Sequence, residues 1–100
     1  MEELTIYKAP GDALDYALEW AYHDDDPLTS AEYSSVSPEG GTLTMTEGSV
    51  ANGFSTFCLE GGEYGDTYTF YSKLKGTVLI CGNKPRAIER KITVKIISIP

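Results

Sequence analysis

Large apolar side chains recur along this chain at every second position in short runs, the spacing of a half-buried strand. Leu14, Tyr16, Leu18 and Trp20 alternate with Asp15, Ala17, Glu19 and Ala21, which predicts a strand over residues 13–21. Wound as a helix, those four large groups would be scattered around about three-quarters of the circumference. Leu4-Thr5-Ile6-Tyr7-Lys8 predicts an edge strand before it, closed by Pro10-Gly11. Four further strands are expected: residues 29–37, polar apart from Tyr33 and Val36, then 42–46, 54–59 and 67–74. The longest is expected over residues 86–99. There Ile88, Ile92, Val94 and Ile96 face one way, and Glu89, Lys91, Thr93 and Lys95 the other.

The punctuation between these runs is that of turns. His23-Asp24-Asp25-Asp26-Pro27 reads as a solvated loop, because a charge run followed by proline cannot continue a ladder. Pro38-Glu39-Gly40-Gly41 predicts a turn, Glu47-Gly48 a strand end, and Asn52-Gly53 a hairpin. Residues 60–65 supply glycines that tolerate positive φ. Residues 76–85 read as a long hairpin connection, with Val78-Leu79-Ile80 as a short strand inside it. About seven short antiparallel strands with frequent turns predict an all-β sandwich, and 100 residues suit a single domain over residues 1–100.

Charge sharpens the picture. Residues 1–66 carry fourteen acids and one base, Lys8, whereas residues 67–100 carry seven bases and one acid, Glu89. The simple expectation is that basic final strands lie beside acidic earlier ones; a dipolar subunit that docks head to tail is the functional one. The net charge of −7 argues against nucleic acid as a partner. No run reaches the length of a membrane helix, and Met1-Glu2-Glu3 does not open a signal peptide. Synthesis in a reducing cytosol is therefore expected, with Cys58 and Cys81 as free thiols.

Catalytic chemistry finds little support. His23, the only histidine, has no matched nucleophile, and no Gly-x-Ser-x-Gly occurs. Asp24, Asp25 and Asp26 offer carboxylates to a cation, but consecutive residues point in different directions. Cys58 and Cys81 lack the spacing of a zinc site, and Gly61, Gly62 and Gly65 lack the helix of a phosphate loop. No catalytic, cofactor or metal site is expected. Trp20 is expected in the core.

Three stretches together resemble a family of short phage fiber-tail adaptor proteins. They are Asp12 to Trp20, an acidic aromatic strand; Leu59 to Tyr68, a strand, Gly-Gly and Gly-x-x-Tyr corner; and Arg86 to Ile96, a basic closing strand. Order and spacing agree over residues 10–97, with Tyr33 standing where the family often has Trp and residues 76–85 longer than its usual last hairpin. The resemblance implies an immunoglobulin-like β-sandwich with a structural role in the tail of a virion made in the bacterial cytoplasm. It implies several copies in a ring or symmetric assembly that joins the tail core to fiber or baseplate proteins, and no catalytic residues. At the corner, Tyr68 is expected to pack its ring while its hydroxyl finds a backbone partner. Two other roles remain open: a capsid decoration or head-completion protein, and a receptor- or carbohydrate-binding module. The last would need exposed clustered aromatics, whereas Tyr16, Tyr68 and Phe70 fall on predicted core faces.

The candidate docking site lies at the end of the chain. Beyond Lys95 the outward face of the final strand turns apolar at Ile97 and Ile99. Such a patch invites a partner or an added strand, with Lys91, Lys95 and Arg90 engaging an acidic surface. The alternative is that Val78-Leu79-Ile80 folds back over it.

Overall fold

The computed structural model describes residues 2–97, with side chains from residue 3 onward. Every regular element among them is a strand: β1 (Glu2–Lys8), β2 (Ala13–Glu19), β3 (Ser30–Tyr33), β4 (Thr44–Ala51), β5 (Phe54–Glu60), β6 (Thr67–Ile80) and β7 (Lys84–Ile96). They form two sheets, one ordered β1-β7-β6-β3 and the other β2-β5-β4. In an immunoglobulin-like sandwich the second order is that of strands B, E and D, and β3, β6 and β7 take the places of C, F and G. Here the first strand joins the sheet of the last.

Alternation decides which groups meet between the sheets. Leu18 and Phe57 and Leu59 from the three-stranded sheet face Phe70, Leu74, Ile92, Val94 and Ile96 from the other, all buried. Phe57 and Phe70 meet edge to face at 5.5 Å, and Tyr33 packs on both from β3. Each fully buried Phe or Leu contributes about 1.5–3 kcal/mol of transfer free energy, so this seam carries most of the sandwich. Trp20, just past β2, is 1 % exposed as expected. Its indole N–H donates to the carbonyl of Asp26 at 2.6 Å.

Four expectations need correction. The strands are not all antiparallel: β1 runs parallel to β7, with Ile6 opposite Val94. Glu47-Gly48 does not end β4, because a register shift between Glu47 and Val50 absorbs the glycine and pairing resumes to Ala51. Residues 29–37 form only the four-residue β3, after which Ser37 makes one isolated bridge to Thr69. Residues 76–85 are not a long connection. β6 continues through Gly76 to Ile80, and the turn is only Cys81-Gly82-Asn83, with all three residues at positive φ. Asn52-Gly53 forms the tight hairpin expected, both residues at positive φ.

Candidate functional site

The register of β7 sorts the predicted docking residues onto different surfaces. Lys91, Thr93 and Lys95 point outward, while Ile92, Val94 and Ile96 are buried. Arg90 shares the parity of the buried set and donates from Nη2 to the carbonyl of Glu19 across the sandwich, at 3.1 Å. It belongs to the seam between sheets rather than to the lysine face. Lys91 reaches Glu3 of the neighbouring β1 at 3.9 Å, so the basic strand does lie beside an acidic one. Lys95 is exposed and pairs in register with Tyr7 on one side and Thr67 on the other.

Ile97 lies just past β7 and is 37 % exposed. Its amide donates to the Lys8 carbonyl at 2.8 Å, which holds it beside the end of β1. Ile99 lies outside the described residues. Tyr64, Gly65, Asp66, Thr67, Lys95, Ile96 and Ile97 line an open concavity of about 400 Å³ at this end of the sandwich. The connection that forms its wall is knit to β7 by two bonds, Gly65 N–H to Ile96 O and Ile96 N–H to Asp66 O, each 3.0 Å. Tyr64, at 69 % exposure, and Tyr7 add ring surface that sequence reasoning did not assign. Their signal was present only as aromatics at outward-facing or loop positions. Val78-Leu79-Ile80 cannot cover this site, because it pairs with the opposite end of β7.

Two buried charges brace the sandwich ends. At the Ile97 end, Lys8 is 1 % exposed and its ammonium donates to the carbonyls of Ala9 and Gly61, tying β1 to the β5–β6 connection. Burial pulls its pKa below the ordinary lysine value, against the attraction of Asp12. Tyr68 is buried as expected, but its hydroxyl donates to the Asp66 carboxylate at 2.9 Å rather than to backbone.

At the other end, the aspartate run is not uniformly solvated. Asp24 and Asp25 are exposed, but Asp26 is buried. Its Oδ1 accepts from Thr77 N–H at 2.6 Å, Val78 N–H at 2.9 Å and Thr77 Oγ1 at 3.1 Å, and Oδ2 faces Arg86 at 3.7 Å. Burial alone would raise this carboxyl. The bonds from Val78 and Thr77 and the Arg86 charge outweigh it and hold the pKa below the ordinary aspartate value. Arg86 also lies over the Tyr22 ring at 4.2 Å. β6 passes through Gly76 with a register shift against β7 between Lys75 and Leu79, and a Cβ at Gly76 would overlap the Asp26 carboxylate. Asp26 is thus a strut between the loop after Trp20 and the base of the β6–β7 hairpin.

Among the described residues, no three His, Cys, Asp or Glu side chains come together as metal ligands, and no helix is long and apolar enough to cross a membrane. Cys58 and Cys81 are free and exposed. A family model described as podophage GP4 fiber-tail adaptor protein gp77 matches residues 8–95. No curated protein matches the chain.

Proposed function

Since this chain belongs to the podophage GP4 fiber-tail adaptor family, a structural component of the phage tail, we propose that it joins the tail core to fiber or baseplate components. It does so as one sandwich domain present in several copies, working by contact rather than by catalysis. The supporting observation is the end face just described. Ile97 and Tyr64 offer apolar surface, Lys95 offers a charge, and backbone bonds fix the concavity between them before any partner arrives. Preorganisation of this kind lowers the ordering cost of association. The partner at this end is another tail protein with a complementary acidic, apolar segment.

The test pairs a folding assay with an assembly assay. Ile97→Asp combined with Lys95→Glu alters exposed side chains, so the variant should keep a wild-type circular-dichroism spectrum. It should be missing from purified tails. Recovery of the variant in tails at wild-type stoichiometry would refute the docking site. Absence of the wild-type chain from tails would refute the tail role itself.

A further inference from the structure

The charge asymmetry read along the sequence becomes, in three dimensions, an asymmetry between sheets. The strands of the β2-β5-β4 sheet contain Asp15, Glu19, Glu47 and Glu60 and no base. β6 and β7 together contain seven bases and one acid. On the outer face of the acidic sheet, Asp15, Cys58 and Thr46 form one cross-strand row, with Ala13, Glu60 and Thr44 next to it. Glu19 pairs with Phe54, which is 42 % exposed, at the other end of that face.

The opposite sheet carries an element that outruns its neighbours. Pairing with β3 ends at Lys75, and β1 covers β7 only from Arg90 onward. Beyond Lys75 the β6–β7 hairpin therefore continues as a two-stranded ribbon. Val78 and Leu79 are adjacent, so they face opposite sides of it, and both are exposed, Leu79 at 59 %. Lys84 and Pro85 are exposed across the ladder from Ile80 and Leu79. A bare two-stranded ribbon is marginal in water. This one is held at its base by the buried Asp26 strut and the Arg86–Tyr22 stack. The arrangement is an apolar tip bearing Lys84, on an arm braced through Arg86 at its base.

We propose that the β6–β7 hairpin tip of one copy docks on the outer face of the β2-β5-β4 sheet of a second copy, Leu79 contacting the Phe54 surface and Lys84 the adjacent Glu19. Charge complementarity selects this occupant, since the strands of the acceptor sheet carry acids and no base, whereas the arm beyond Lys75 carries Lys84 and Arg86 and no acid within its strands. Donor and acceptor surfaces differ, so the contact is heterologous and generates a ring or a filament rather than a closed two-fold dimer. The proposal rests on the tail-adaptor reading only for its setting, and it concerns surfaces remote from the Ile97 end.

Purified full-length chain provides the test, so that its outcome is independent of incorporation into tails. Sedimentation velocity should show concentration-dependent association at low ionic strength that is lost in about 1 M salt, where the Debye length is about 3 Å. Leu79→Asp should raise the concentration needed by roughly tenfold or more, as loss of a central apolar anchor does. Lys84→Glu and Glu19→Lys should each weaken association, and the two together in one chain should restore it. A chain that stays monomeric at all concentrations in low salt would overturn the proposal. Association unchanged by Leu79→Asp would do the same.

Discussion

Ser55 sits in the core of β5 at 1 % exposure, and its Oγ lies 2.6 Å from the Tyr33 hydroxyl of the opposite sheet. Here a double-mutant cycle separates hydrogen bonding from packing. Tyr33→Phe keeps the ring that packs on Phe57 and Phe70 but removes the partner of a buried hydroxyl. The orphaned Ser55 then costs about 1–3 kcal/mol, the desolvation penalty of an unsatisfied buried group. Ser55→Ala costs less, about 0.5–1.5 kcal/mol, because Tyr33 is only half-buried and its hydroxyl can turn to water. Replacing both leaves two apolar groups of nearly unchanged shape, so the double variant should lie close to wild type. The coupling energy is then about 1 kcal/mol or more, well above the about 0.3–0.5 kcal/mol scatter of independent sites. Urea unfolding gives all four stabilities, and melting temperature should follow at about 4–8 °C per kcal/mol for a domain of this size. Additive single costs, with the double variant as unstable as their sum, would refute the bond.

Trp20→Ala should destabilise by about 3–5 kcal/mol, since it removes a buried indole and leaves the Asp26 carbonyl unpaired. A variant with unchanged urea midpoint would show the indole to be outside the core. Asp26 has a folded pKa below its ordinary 3.8, so the stability it contributes is present above that value and is lost as pH falls through it toward the folded pKa. Acid titrations of melting temperature should show wild type falling below pH 3.8 more steeply than Asp26→Asn, and parallel curves would contradict the strut.

The parts of the fold legible in the sequence were those fixed by local alternation. Leu18 and Trp20, Phe57 and Leu59, and Ile92, Val94 and Ile96 all face inward as their spacing predicts. The Asn52-Gly53 hairpin was legible because its backbone conformation follows from those two residues alone. What failed depended on distant partners. Gly76 looks like a strand breaker until the Asp26 carboxylate is seen to occupy its missing side chain's place. Asp26 is indistinguishable in sequence from Asp24 and Asp25, and only the ribbon amides of Thr77 and Val78 single it out. Lys8 reads as an exposed strand end until the Gly61 carbonyl comes within its reach. Of the docking residues, Ile97 and Lys95 share one concavity, whereas the parity of Arg90 already placed it with Ile92 on the other face. The missed signal was simple counting by twos.

The parallel pairing of β1 with β7 sets the order in which the chain can complete itself. Glu2 to Lys8 find their ladder partners only in Arg90 to Ile96, at nearly the full sequence separation. Local hairpins such as β4–β5 and β6–β7 close small loops and can form early. β1 must wait, and the loop-closure entropy of almost the whole chain opposes its docking until β7 is in place. During synthesis Ile6 therefore lacks the cover of Val94, its partner in the ladder, until β7 has been made. Docking of β1 closes the largest loop in the fold and buries Ile6 as it does so.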